Sequence, residues 1–204
     1  MKLFAILAVS VSLFLSACQS SMEPKEAVKE TTSANEADIS PSSETENIVL
    51  AKVGGWVLTK SEFNKVLSDL QSSGAAEGMD LSDLNTKEML LQRMVNTEIL
   101  YRVGLERGFD KEAKIEGASS KAKRVLVIQK VLDSLASDIE VSEEEIEEFY
   151  QNSGLTDKPL SEMKANIIKA IELAKLEEEV SKLADSYRDE LEVEVNFENL
   201  GSDQ

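Results

Sequence analysis

Histidine is absent from this 204-residue chain, and cysteine occurs once, at Cys18. Without imidazole the chain has no Ser-His or Cys-His nucleophile pair and no histidine-based zinc site. A single cysteine allows neither an intrachain disulfide nor a cysteine metal cluster. These absences exclude much conventional enzyme chemistry, and we expect no metal and no cofactor.

Positive charge is also scarce, because 22 Lys and Arg stand against 39 Asp and Glu, a net charge of −17. Nucleic-acid binding needs a cationic surface that displaces counterions from phosphates, so this class of function is excluded. The same net charge argues against docking onto anionic lipid through a basic patch. Any contact with a membrane is therefore expected through a lipid anchor only.

The N-terminus has the layout of a secretory signal. Lys2 precedes an apolar run over residues 3–15, which is shorter than the roughly 20 residues that span a bilayer. The run ends in Leu15-Ser16-Ala17-Cys18, which resembles a bacterial lipobox. The resemblance implies that residues 1–17 are a signal peptide and that Cys18 is acylated, for example with palmitate. The alternative is an ordinary signal peptide with a chance cysteine.

The resemblance also implies a location. In a bacterium with two membranes, Gln19 after the cysteine, rather than Asp, implies the outer membrane facing the periplasm. Residues 18–47 are rich in Ser, Thr and Glu, contain Pro24 and Pro41, and have no aromatic side chain. Such a stretch buries too little apolar area to offset chain entropy, so we expect a flexible tether.

The folded part is predicted over residues 48–200. A β-prone run at 48–53 and a short one at 56–58 flank the turn-forming Gly54-Gly55. Apolar spacing of period 3.6 then predicts five helices. The first helix is opened by a Thr59/Glu62 capping box, and the fourth by a capping box of Ser142 and Glu145. The second runs from Asn85 to about Arg107, and the third from about Asp110 to about Ala136. The last is capped by Asp157 or Ser161 and runs to about Glu190.

The chain ends in an alternating pattern that is typical of a strand. Leu191, Val193, Val195 and Phe197 alternate with polar residues. A lone strand leaves its backbone groups unpaired, so we expect this strand to pair with residues 48–53. The predicted fold class is mainly α, a module of about five helices closed by a small ribbon of N- and C-terminal strands.

Four segments then occur in a recognisable order. They are VGGWVLTKSEF at residues 53–63, an apolar pair followed by an acid and glycine within 94–109, VSEEEIEEFY at 141–150, and Lys158-Pro159 opening the last helix before the end strand. Together they resemble SurA/PrsA-type extracytoplasmic chaperones, in the SurA N-terminal, trigger-factor-like peptide-binding domain. The resemblance implies a chaperone that holds unfolded exported or outer-membrane proteins.

One departure from this family changes the expected activity. In many of its members a parvulin prolyl-isomerase domain lies before the last helix, whereas here only residues 153–160 lie there. Parvulin active sites also use histidines, which this chain lacks. We therefore expect a holdase without catalysis. The alternatives are a lipoprotein scaffold with one fixed partner and, third, a peptidyl-prolyl isomerase.

Methionines are the candidate peptide-binding residues, because thioethers adapt to varied partners. The candidates are Met89, Met94 and Met163, and the alternative is that they are core. Two Ser-x-x-Lys pairs, Ser120 with Lys123 and Ser161 with Lys164, have a nucleophile spacing. Neither pair has a companion motif, and the abundance of both residue types accounts for them by chance.

Overall fold

A computed structural model describes residues 48–154 and 158–201. Within them the chain is mainly helical, with three short strands. The elements, in chain order, are β1 (Val49–Val53), β2 (Trp56–Thr59), α1 (Lys60–Ser72), α2 (Leu84–Glu106), α3 (Ala113–Glu116), α4 (Ser120–Ala136), α5 (Glu143–Asn152), α6 (Leu160–Ser186) and β3 (Glu194–Val195). The predicted signal peptide, the predicted lipidation site Cys18 and the predicted tether lie outside the described residues.

The two ends of the folded part pair as predicted. The strands form an antiparallel sheet in the order β2-β1-β3, so β1 is central. Ala51 is opposite Val195, and Lys52 is opposite Glu194. Gly54 takes a φ of +54°, which permits the tight turn between β1 and β2. Its N–H donates to the Leu191 carbonyl at 2.6 Å, which ties this turn to the C-terminal segment.

The C-terminal strand is shorter than predicted, because only Glu194 and Val195 pair. The alternation over 191–197 is interrupted by turns after α6, and Glu192 has a φ of 47°. A 3-10 turn, Phe197–Leu200, follows and buries Leu200. The side chains of Asn196 and Asn199 donate to the Val49 carbonyl at 3.3 and 3.1 Å, so side-chain hydrogen bonds join the chain to β1 beyond the short β3.

Both predicted capping boxes are present. The Thr59 hydroxyl accepts from the Glu62 N–H at 3.3 Å, while the Glu62 carboxylate accepts from the Thr59 N–H at 2.8 Å. Ser142 and Glu145 make the same reciprocal pair at the start of α5. The start predicted for α2 is wrong: Asp83, not Asn85, is the N-cap, and its carboxylate accepts from the Thr86 N–H at 2.9 Å.

The third predicted helix is not continuous from Asp110 to Ala136. A 3-10 turn, Phe109–Lys111, and the short α3 come first, the chain breaks at Gly117, and Ser119 caps a new helix, α4. The start and end of the last helix were also predicted wrongly. Pro159 occupies the N-cap of α6, Ser161 lies inside the helix, and the helix ends at Ser186 rather than Glu190. Asp157 lies outside the described residues.

The main core lies between the sheet and helices α1 and α2, and it is closed by the end of α6. Phe63, Leu91 and Ile99 are fully buried in it. A second cluster joins α2, α4 and α6 through Leu100, Val131 and Val180. Among the residues that the structure describes, no helix has the length and apolarity to cross a membrane.

Candidate functional site

The long helix α6 has two environments along its length. Near its C-terminal end, Ala184 packs in the main core and Val180 in the second cluster. In its first half, Ile167 and Ile171 pack instead against Ile146 of α5. We call α5 together with the first half of α6, up to Ile171, the arm. The arm therefore has a core of its own, separate from the main core.

The core of the arm is small for the apolar surface that surrounds it. Only three of its residues are buried, namely Ile146, Ile167 and Ile171. Six further side chains are only partly buried, namely Val141, Phe149, Tyr150, Leu160, Met163 and Ile168. We call these six residues together with the three isoleucines the arm cluster. A two-helix hairpin cannot cover these side chains by itself. The arm therefore offers half-covered aromatic, thioether and branched side chains to another molecule.

Two ion pairs join α6 to α5, and a hydrogen bond joins α6 to the loop before α5. The Lys175 ammonium contacts the Glu145 carboxylate at 2.5 Å and donates to the Glu140 carbonyl at 2.6 Å. The hydrogen bond from Lys175 and the N–H of Ser142 lower the pKa of Glu145 to about 2. Lys164 contacts Glu143 at 2.7 Å. Both ion pairs join α5 to α6 at separate points along α6, which favours one relative position of the two helices.

Negative charge is concentrated on the α5 side of the arm cluster. Residues 131–154 contain eight acids and no Lys or Arg. On α5, two of these acids are paired with lysines of α6, whereas Glu144, Glu147 and Glu148 are exposed and have no cationic partner within residues 48–154 and 158–201. An apolar surface bordered by unpaired carboxylates favours ligands that combine apolar and cationic side chains.

A buried acid, Glu98, is the second unusual polar feature. Its side chain is 1% exposed, and its two oxygens accept from Arg102 Nε at 2.7 Å and Arg124 Nη2 at 2.6 Å. The Arg124 guanidinium also lies 4.4 Å from the centre of the Tyr101 ring. Since both carboxylate oxygens are occupied by guanidinium donors, the group joins α2 to α4 and is not placed to transfer a proton.

Beside this network α2 and α4 approach closely. A Cβ on Gly104 would lie 2.4 Å from Val127 Cγ1, so only glycine fits this crossing. Within the described ranges, every buried side-chain N or O atom has a hydrogen-bond partner, and no group of three acids or cysteines has the geometry of a metal site.

The three candidate methionines do not form one surface. Met94 is half-buried against the main core, and Met163 belongs to the arm cluster. Met89 is 36% exposed on α2. Lys164 of one Ser-x-x-Lys pair is engaged with Glu143, so it serves as an ion-pair partner between α5 and α6. Of these three methionines, Met163 alone lies beside the partly buried side chains of the arm.

Sequence reasoning did not single out the aromatic pair of the arm or the buried Glu98. Phe149 and Tyr150 adjoin an acid run, and their spacing from Ile146 indicates only one face of a short helix. Glu98 had a clearer signal. It lies between Val95 and Arg102 at helical spacing, on a helix whose surrounding residues are apolar, and such an acid needs a cation when it is buried.

Comparisons with known proteins give no match: no family model, no curated protein and no solved structure resembles this chain to a significant degree.

Proposed function

We propose that this protein is a lipid-anchored chaperone of the cell envelope that holds unfolded or partly folded exported polypeptides without catalysis. The observation that carries the proposal is the arm cluster, in which half-covered apolar side chains outnumber buried ones. The resemblance of four segments to SurA/PrsA-type chaperones supports the same function. Acylation at Cys18 and an outer-membrane location facing the periplasm are parts of this proposal.

The expected affinity follows from the exposed area. Fully burying a large apolar side chain is worth about 1.5–3 kcal/mol, and these side chains are already mostly covered, so covering the rest of each is worth at most about 1 kcal/mol. Six such side chains give at most about 5 kcal/mol before the cost of association, which corresponds to a Kd of about 0.2 mM or weaker. Weak binding of this kind keeps a client from aggregating and releases it without ATP.

Charge sets the preference among clients. The carboxylates of the arm and the net charge of −17 disfavour acidic polypeptides and favour basic ones. This bias should fade as salt is added, since screening acts beyond about 10 Å at 0.1 M. The apolar part of the binding should survive salt.

The test is suppression of aggregation of a reduced or denatured client, measured by light scattering at low and high salt. The variant Met163→Gln with Ile168→Thr replaces two partly buried apolar side chains of the arm cluster by polar ones. The matched control is Met89→Gln, which replaces an exposed methionine outside the arm. We expect the arm variant to lose most of the protection and the control to keep it, with both folded by circular dichroism.

Two outcomes would contradict the proposal. Scattering that is unaffected by stoichiometric wild-type protein, for acidic and basic clients alike, would remove the chaperone function and favour a scaffold with one fixed partner. Protection that is lost in Met89→Gln and kept in the arm variant would move the client site from the arm to α2.

A further inference from the structure

Helix α6 contacts α5 on one side and the rest of the domain on the other. Ile167 and Ile171 pack against Ile146 of α5. Leu176 and Val180 pack instead in the cluster that joins α2 and α4. At 3.6 residues per turn, the second pair lies about 180° around the helix axis from the first. Helix α5 therefore packs on the side of α6 that faces away from α2 and α4.

Partly buried side chains border the contact between α5 and α6 on both sides. On α6, Met163 lies about 60° to one side of the direction of the buried isoleucines, and Ile168 about 80° to the other. On α5, Phe149 lies about 60° to one side of Ile146, and Tyr150 about 40° to the other. Two packed helices leave a groove along each side of their contact, and we call these two grooves the arm grooves. Each helix therefore contributes one partly buried side chain to each arm groove.

The conformation of a bound segment follows from what the arm offers to its backbone. The strands of the described residues belong to one sheet, and none of their residues lies in the arm cluster. An extended segment in an arm groove would therefore find no strand to pair with, and its covered N–H and C=O groups would lose their bonds to water. A helix bonds its own backbone and presents apolar side chains at i, i+3, i+4 and i+7 to a groove. The arm grooves therefore favour a helix.

Carboxylates lie along the α5 border of both arm grooves. Glu147 lies about 60° beyond Tyr150 around α5, and Glu148 lies about 100° beyond Phe149. Both acids are exposed. The two lysines of α6 that contact α5 are already paired with other acids, so they do not neutralise Glu147 or Glu148. The α5 border of each groove is therefore negative and attracts cationic side chains.

We propose that the arm binds a segment of its client as a cationic amphipathic helix, which lies in an arm groove as a third helix against α5 and α6. This inference rests on the proposed function, because it names the kind of client segment that the arm cluster holds. The apolar side chains of the segment cover the partly buried ones of the arm, and lysines or arginines beside them pair with the carboxylates of α5. An acidic helix would be repelled, and so would the arm of a second copy, since residues 131–154 contain eight acids and no cation.

The size of the arm sets the length of the bound helix. Helix α5 has ten residues, which is about 15 Å at about 1.5 Å per residue. A client helix of about three turns covers this length. Helices so short are marginal in water on their own, so the segment becomes helical only when it binds. Binding therefore has a signature of its own, which is a gain of helix in the client segment.

The first experiment compares three labelled peptides of equal length, about 14 residues each. One has leucine at helical spacing with lysine beside it, one has the same composition in strict alternation, and one has glutamate in place of lysine. The protein is the chain from residue 18 with Cys18→Ser, so that neither the predicted signal peptide nor acylation contributes. Fluorescence anisotropy at low salt measures the affinity, and infrared spectra of the ¹³C-labelled peptides measure their helix content. We expect the first peptide to bind most tightly and to gain helix.

The second experiment locates the bound helix by substitution. Glu147→Gln and Glu148→Gln each remove the carboxylate of one arm groove, and an exposed ion pair is worth about 1.4- to 5-fold in a binding constant. The variant at the occupied groove should weaken binding of the first peptide by this factor at low salt, and high salt should remove the difference. The matched control, Glu198→Gln, removes an exposed acid outside the arm and should have no effect. Met163→Gln with Ile168→Thr removes one apolar side chain from each groove and should weaken binding at either salt.

Three results with the peptides would overturn the inference. They are equal affinity for the helical and the alternating peptide, binding without a gain of helix, and an affinity that neither glutamate variant changes. If the first peptide does not bind while aggregation of a client is still suppressed, this inference fails and the proposed function stands; if both are absent, the proposed function fails as well. Sedimentation equilibrium tests the remaining occupant. A dimer of the wild type that Met163→Gln with Ile168→Thr abolishes would make a second copy the partner of the arm, and the client helix would be excluded.

Discussion

Replacing the buried carboxylate of Glu98 by an amide should lower the free energy of unfolding by about 3 kcal/mol, because charged hydrogen bonds are worth about 1.5–3 kcal/mol each and the carboxylate makes two. An amide keeps one acceptor oxygen and turns an N–H₂ group towards a guanidinium that can only donate. Arg102 and Arg124 are 35% and 26% exposed, so water partly solvates them after the change. The cost therefore falls at the low end of the roughly 3–5 kcal/mol for breaking a buried pair.

Urea denaturation of Glu98→Gln and of the wild type measures this difference, with an unchanged m-value expected. A loss of about 3 kcal/mol corresponds to a Tm lowered by roughly 6–12 °C in a domain of this size. The matched control is Glu144→Gln, an exposed acid of α5, which should change stability by no more than about 0.5 kcal/mol.

A double-mutant cycle then identifies the partner. Arg124→Met removes one donor, so the losses from Glu98→Gln and Arg124→Met should be less than additive by about 1–2 kcal/mol. A loss below about 1 kcal/mol for Glu98→Gln, or strict additivity in the cycle, would refute the role of this network in joining α2 to α4.

Four further outcomes are expected. Truncation after Glu190 removes β3 and the buried Leu200, so Tm should fall by the equivalent of several kcal/mol; an unchanged Tm would show that the ends do not need to pair. Glu145 has a pKa lowered to about 2 from 4.5, so the Tm advantage of wild type over Glu145→Gln should be full above pH 4.5 and shrink as the pH falls towards 2; an advantage that grows on acidification would contradict the Lys175 contact. Cys18→Ser should release the protein from membranes and remove its acyl mass, and retention of that mass would exclude the lipobox. A protease-coupled proline-peptide assay should give the uncatalysed rate, with a relaxation of tens to hundreds of seconds, and acceleration proportional to protein concentration would establish an isomerase.

Local chemistry made part of the fold predictable from the sequence. The boxes at Thr59 and Ser142 are present because both halves of each reciprocal bond lie within four residues. The pairing of the two chain ends was predictable because a single strand with unpaired backbone groups needs a partner. The end of α2 near Arg107 was predictable because Gly108 follows it, and this glycine takes a φ of +75° that few other residues adopt.

Competition between neighbouring residues made other features unpredictable. Asp83 and Asn85 are both good caps, and only the structure shows that Asp83 takes the position. The break at Gly117, within the third predicted helix, depends on Ser119 starting a new helix. The arm cluster depends on which side of α6 faces α5, and periodicity along one helix contains no information about a second helix.

Because the chain is synthesised from its N-terminus, the central strand β1 gains its two neighbours at different times. Lys52 of β1 is joined to Glu194 of β3 across 142 residues, whereas its other neighbour, β2, follows within a few residues. At about 5–20 residues per second, a ribosome needs roughly 7–28 s to add the intervening chain. During that interval one edge of β1 has no native neighbour, and such an edge is a template for pairing with other chains. The last residues to be made therefore complete the domain, and a chain that stops short of them retains an open sheet edge.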